Sequence, residues 1–209
     1  MYTEVFFDIE TEKLFDQLKD RTKMADLGVS VVSAYKRKID MNNREVEGEM
    51  RTFWNPVMKE RGPVLAEFWD WVIDADRVIG FNSFRFDAPI LTPHLPGDFM
   101  RMNHFDILDK VKEVLGHRLS LDAIVKETLG KKKLADGLAA VDWWQYGDEE
   151  SLKKLKDYCE MDVEVTKQIY DFGLRGKKLK YRSRWNEPME FEVDFSYPIR
   201  EESPQLGLF

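Results

Sequence analysis

The sequence predicts an α/β domain, a β-sheet layered against helices, on three observations. Strand-like runs come first, strands and helices then alternate, and a long helical stretch precedes the C-terminal region. That order belongs to a layered α/β architecture. With 209 residues, 43% of them hydrophobic, the chain can bury one good core and is globular, not disordered.

The first strand is the run Val5-Phe6-Phe7-Asp8-Ile9-Glu10. In a strand, Val5, Phe7 and Ile9 point to one face, and Phe6, Asp8 and Glu10 to the other. The apolar residues predict burial. Two carboxylates about 7 Å apart on a buried face cost several kcal/mol each unless a cation compensates. A divalent metal with oxygen ligands is one general answer. Taken alone, an edge strand with its carboxylates in water fits equally.

Residues 12–26 are polar and read as a connection or short helix. Residues 27–35 are β-branched and predict a second strand; after a turn at 40–43, residues 46–54 predict a third, returning antiparallel. Pro63 opens a helix with Leu65, Phe68, Trp69 and Val72 at helical spacing. Residues 77–82 predict a fourth strand buried on both faces, 86–95 a short proline-crowded helix, and 104–107 a fifth strand running into a helix over 108–115. Ser120 caps a helix over 121–129, which Gly130 ends. Residues 134–147, with Trp143 and Trp144, read as irregular. The acidic start at 148–151 opens a long helix to about Phe172, stopped by Gly173 and Gly176. Residues 178–184 and 189–195 alternate as a β-hairpin around Asn186-Glu187-Pro188. The domain is expected to span 1–195, with 196–209 a tail.

No run of about 18 uncharged apolar residues exists, so no membrane span is expected. The first residues lack a basic region, so no secretory signal is expected. A single cysteine, Cys159, excludes an internal disulfide and a cysteine-based zinc site and fits a reducing cytoplasm. The net charge of −7 argues against a generic polyanion coat. Nucleic acid remains open as a substrate, because carboxylates gathered at a metal site count toward that total.

Two further acidic positions join the first strand. Asp87 begins the short helix after the buried fourth strand, where, taken alone, a plain helix N-cap explains it better. Tyr158 and Asp162, four apart on the long helix, share one face bordering the buried stripe; a Tyr–Asp hydrogen bond on a half-exposed face is the plainer alternative. Together the three segments are similar to the DEDDy-type 3′–5′ exonucleases of the ribonuclease H-like superfamily. They most resemble the proofreading exonuclease domain of B-family DNA polymerases. The segments that carry the resemblance are Asp8-Ile9-Glu10-Thr11, Gly80-Phe81-Asn82-Ser83-Phe84-Arg85-Phe86-Asp87-Ala88-Pro89 and Tyr158-Cys159-Glu160-Met161-Asp162. They stand in the family's order within residues 3–172, and no catalytic position departs from the pattern.

The resemblance implies a ribonuclease H-like mixed β-sheet flanked by helices, and two divalent ions, Mg²⁺ or Mn²⁺, held by Asp8, Glu10, Asp87 and Asp162. It implies that Asp8 bridges both ions, that Glu10 and Asp162 hold the ion that activates water, and that Asp87 holds the other. Tyr158 is expected to orient the water, and Thr11, Asn82 and Phe86 to touch the substrate. Six basic residues and no acidic one lie in 175–184, and Lys178, Lys180 and Arg182 are expected to meet phosphates, although a solvated charged face fits them too. Lys131–Lys133 is a second basic run. Phe84, Phe86, Trp143 and Trp144 could stack on bases, but core packing explains them more readily.

Gln205-Leu206-Gly207-Leu208-Phe209 resembles the short peptide with which bacterial replication and repair proteins bind the sliding clamp. Gln205, Leu206, Leu208 and Phe209 are its expected contacts; folding back onto the chain's own core is the alternative. The expected activity is 3′–5′ hydrolysis of DNA, more than RNA, in a bacterial or phage-infected cell. The competing expectations are an exoribonuclease of the same fold and a non-catalytic nucleic-acid-binding module delivered to the clamp.

Overall fold

The first strand, β1 (Tyr2–Glu10), is the middle strand of a five-stranded sheet in the computed structural model, which describes residues 1–55, 65–131 and 138–197. On one side β2 (Val31–Ile39) pairs antiparallel along the whole of β1, and β3 (Glu45–Trp54) lies antiparallel outside it. On the other side β4 (Arg77–Gly80) and β5 (His104–Asp106) continue the sheet in parallel. The sheet is therefore mixed, in the order β3-β2-β1-β4-β5. A central β1 rules out the edge-strand alternative for Asp8 and Glu10.

The period of two along β1 divides the core as predicted. Val5, Phe7 and Ile9 join a cluster with Phe68 and Val72 of α1 (Ala66–Val72) and Ile90 and Leu91 of α2 (Asp87–Leu91). Phe6 faces the opposite layer. There it packs with Val111 of α3 (Ile107–Leu115), Ile124 of α4 (Leu121–Leu129), and Val163, Ile169 and Tyr170 of the long helix Glu149–Leu174. Ser120 accepts from the Ala123 N–H as the N-cap of α4, and Gly130 ends it in the left-handed region. Asp148 caps the long helix through the Ser151 N–H at 2.9 Å.

Three expectations are corrected. The second strand begins at Val31, not residue 27, because Leu27 ends a 3-10 turn and Gly28 turns the chain at φ +70°. The supposedly irregular segment holds a helix, α5 (Leu138–Tyr146), with Ala140 and Val141 buried, so that the long helix is α6. Ala140 packs in one cluster with Val31 of β2 and Leu155 of α6, so tertiary packing supplies what sequence periodicity did not. Gly173 does not stop α6. It lies inside the helix, and a Cβ there would collide with the Phe195 ring. Pro63 and residues 134–137 fall outside the described residues.

A two-stranded sheet, β6 (Leu179–Arg182) and β7 (Pro188–Phe191), forms the expected hairpin, with Asn186 in its turn at φ 63°. The chain then crosses back over the N-terminal end of β1. Arg77 donates to the carbonyls of Phe195 (2.9 Å) and Ser196 (3.0 Å), and Tyr197 stacks on Tyr2 at 4.1 Å. No helix among the described residues is long and apolar enough to cross a membrane.

Candidate active site

The site lies at the carboxyl ends of the parallel strands β1 and β4, where ligands bind in open α/β sheets. Asp8 and Glu10 lie on the β1 face that carries Phe6, the face that α6 covers. Leu155, Tyr158, Cys159 and Val163 of α6 are buried, which turns Asp162, one turn beyond Tyr158, toward the same place. Carboxylate oxygens of Asp8, Glu10 and Asp162 lie within 4.8 Å of one another. All three are partly buried.

Asp87, the first residue of α2, approaches from the end of β4 and is only 5% exposed. Its carboxylate accepts hydrogen bonds from its own N–H and that of Ile9. Burial nevertheless dominates and pushes it up to about 7. Asp8 is raised well above the carboxylate range, first by burial and then by the charges of Asp87, Asp162 and Glu10. All four acids therefore share one electrostatic field. Burial and like charge thus favour the protonated forms of Asp8 and Asp87, and an all-carboxylate donor set suits a hard divalent cation.

Tyr158 is buried beside this cluster, edge-on to Trp143 at 6.1 Å. Burial and the hydrogen-bonded Asp162 push its hydroxyl up, so it stays protonated at neutral pH. Cys159 lies against the first strand, its Sγ 3.5 Å from the Asp8 carbonyl and 4.0 Å from Asp8 Oδ2. Burial raises this thiol as well, which makes it a neutral, unreactive neighbour.

The loop between β4 and α2 is held by a residue to which sequence reasoning gave no role. Asp106, buried at the end of β5, accepts from the N–H groups of Asn82 (2.8 Å) and Phe84 (3.0 Å) while capping α3 through Leu108 (2.9 Å). The available signal was an aspartate between a strand and a helix, a sequence that marks an N-cap. Asn82 adopts φ 63°, and its Oδ1 accepts from Arg118 Nη2 at 2.8 Å.

The remaining expected contacts are placed as follows. The Thr11 hydroxyl donates within its own loop to the Lys13 carbonyl at 2.8 Å. Phe86, the residue before Asp87, stacks on Phe15 with centroids 6.3 Å apart and packs against the core layer of Val5, Phe7 and Ile9. The hairpin carries Lys180, paired with Glu190 at 3.3 Å, and Arg182, paired with Glu127 at 3.1 Å, while Lys178 is exposed just before it. Trp144 stacks on Trp54, with centroids 6.4 Å apart. Gln205, Leu206, Leu208 and Phe209 lie outside the described residues, as do Lys132 and Lys133.

Comparison with known proteins now decides the family. A family model described as the RNase H superfamily matches residues 5–172, a span that includes all four acids and Tyr158. The chain belongs to the RNase H superfamily. Among solved structures it is similar to the family B DNA polymerase of Pyrobaculum calidifontis, with a TM-score of 0.61 at 19% identity over 83% of this chain and 25% of the polymerase. It is also similar to E. coli Exonuclease I solved with a dA16 oligonucleotide, with a TM-score of 0.51 at 12% identity over 84% of this chain and 41% of that one. At such identities these similarities speak for the RNase H-like fold alone. No curated protein matches by sequence.

Proposed function

We propose that this RNase H-superfamily chain is a DEDDy-type 3′–5′ exonuclease that shortens DNA from single-stranded 3′ ends with two divalent ions, Mg²⁺ or Mn²⁺. The observation that carries the reading is the meeting of Asp8, Glu10 and Asp162 oxygens within 4.8 Å, with Asp87 in the same field. Asp8, Glu10, Asp87 and Asp162 would hold the ions. When bound, the ions activate water and neutralise charge on the attacked phosphate and the leaving oxygen.

The chain's own groups supply position. Tyr158 keeps its proton, so it orients the attacking water through its hydroxyl and leaves general-base chemistry aside. Asn82, fixed from both sides by Asp106 and Arg118, holds the loop that delivers Asp87 and shapes the pocket for the terminal nucleotide. Phe86 stacks against that nucleotide and Thr11 borders it. Lys178 belongs to the phosphate-contacting set, with Lys180 and Arg182 exchanging their carboxylate partners for phosphate. The dA16 oligonucleotide in Exonuclease I supports a single-stranded DNA substrate.

The proposal extends to the tail. Residues 205–209 anchor the enzyme to a bacterial sliding clamp during replication or repair in the cytoplasm. Deleting Gln205–Phe209 is expected to abolish pull-down by purified clamp and leave the rate on short free oligonucleotides unchanged. An empty pull-down with the full chain contradicts the clamp role. For the activity itself, 5′-labelled single-stranded DNA and RNA of equal length are incubated with Mg²⁺, Mn²⁺ or EDTA. A ladder shortening from the 3′ end, faster on DNA and absent in EDTA, is expected. Faster cleavage of RNA would make the chain an exoribonuclease, and no cleavage with either metal would overturn the reading.

A further inference from the structure

The turn of the C-terminal hairpin carries a feature that the acid cluster does not use. Trp185 is 67% exposed at its tip, and the Arg184 guanidinium lies over its ring at 4.0 Å. An exposed indole offers a flat face on which a base can stack.

The turn is also rigid. The Ser183 hydroxyl accepts from the N–H groups of both Trp185 and Glu187 at 3.2 Å, and the Ser183 N–H donates to the Glu187 carbonyl at 2.9 Å. Arg182 Nη1 ties the Asn186 carbonyl at 2.9 Å. The indole is thus presented by a braced five-residue turn, so holding it for a ligand costs little further ordering. Beneath it lies a groove of about 580 Å³ lined by His117, Leu119, Tyr181, Arg184, Trp185 and Met189, with Glu187 the one acid on its wall among the described residues.

Arg118 links this groove to the candidate active site. His117 and Leu119 flank Arg118, and Arg118 holds Asn82 in the loop that ends at Asp87. An arginine stacked on an exposed indole, beside a trough floored by apolar side chains, matches a polymer that alternates flat bases with phosphates.

We propose that the hairpin turn is a second binding site for single-stranded nucleic acid, with Trp185 stacking a base and Arg184 meeting a phosphate of the strand upstream of the 3′ end. The assignment rests on the nuclease reading for the strand's direction, and its test does not need cleavage. The turn adds its own contact to the phosphate contacts proposed for Lys180 and Arg182, which in the fold pair with Glu190 and Glu127.

Binding of fluorescein-labelled dT16 is followed by anisotropy in EDTA, with salt titrated. Trp185→Ala is expected to weaken binding about tenfold, the scale of one lost base–aromatic stack, and Trp185→Phe to restore most of it. Arg184→Ala is expected to lower the slope of log K against log salt by about 0.7, the value for one phosphate on a single strand. Trp185→Ala and Arg184→Ala both binding dT16 within twofold of the unaltered chain, or no binding of dT16 at all, overturns the proposal. Cleavage in Mn²⁺ is measured separately. A chain that binds through Trp185 yet cuts nothing upholds this site and overturns the catalytic reading, whereas a chain that cuts yet binds independently of Trp185 does the reverse.

Discussion

Asp8 stands where the site's charges converge, with Asp87, Asp162 and Glu10 all acting on it. Its alternation with Phe7 and Ile9 was legible in the sequence, because a strand's period of two leaves no freedom about which side chains share a face. The approach of Asp87 was legible only through family resemblance, since nothing local fixes where a helix after β4 will point. The Arg118–Asn82 contact was not legible at all, because 36 residues separate its partners and neither carries a local signal. Tyr158 gives the sharpest test at this scale. In the proposed role its hydroxyl orients water and binds no metal, so Tyr158→Phe is expected to slow hydrolysis by about 10- to 1,000-fold, the range for one positioning or proton-transfer contact. Calorimetry is expected to find Mn²⁺ affinity nearly unchanged. A collapse of that affinity contradicts the role assigned to it.

Among the elements, β1 links two very different ends. At one end sit the mutually repelling acids; at the other, Glu4 is fully buried and satisfied. It accepts from Arg37 Nε (2.7 Å), Tyr170 (2.8 Å) and Tyr197 (2.8 Å), and Arg37 also reaches Asp171 at 2.7 Å. Removing one partner of a buried pair strands the other charge, at about 3–5 kcal/mol. Because Arg37 keeps Asp171, Glu4→Ala is expected near the lower figure, about 3 kcal/mol in denaturant unfolding. A loss below about 1 kcal/mol contradicts the network's role. Sequence patterning reached the sheet and the capped helices α4 and α6 because their signals are local. It missed α5, where Leu138, Ala139, Ala140, Val141, Trp143 and Trp144 leave no polar face to define a period, and the contact with α6 decides the conformation. It placed the hairpin but overran its strands, since β6 and β7 pair over only four residues each.

For the whole molecule, the acid cluster makes stability depend on pH and, if the proposed metal centre forms, on metal. Asp87 has an ordinary value of 3.8 and stands at about 7 in the fold, so the folded chain binds its proton more tightly than the unfolded chain. Its contribution is fully present below about 3.8, falls as pH rises through the window, and is lost above about 7. Asp8 acts in the same direction. The melting temperature of metal-free Asp87→Asn is therefore expected to rise relative to the unaltered chain between about pH 4.5 and 7. Metal must displace these protons, so the stabilisation given by Mn²⁺ is expected to grow over the same window. A difference that does not change with pH contradicts the shared field. The most direct test of the central claim, that the β1–α6 carboxylates form the metal centre of a nuclease, is digestion of 5′-labelled single-stranded DNA by the unaltered chain and by Asp8→Ala, each in Mn²⁺ and with its melting curve recorded. The expected result is a 3′-shortened ladder from the unaltered chain, none from the variant, and a variant that melts at the same or a higher temperature without metal, as relief of like-charge repulsion requires. A folded Asp8→Ala that digests within tenfold of the unaltered chain would contradict it.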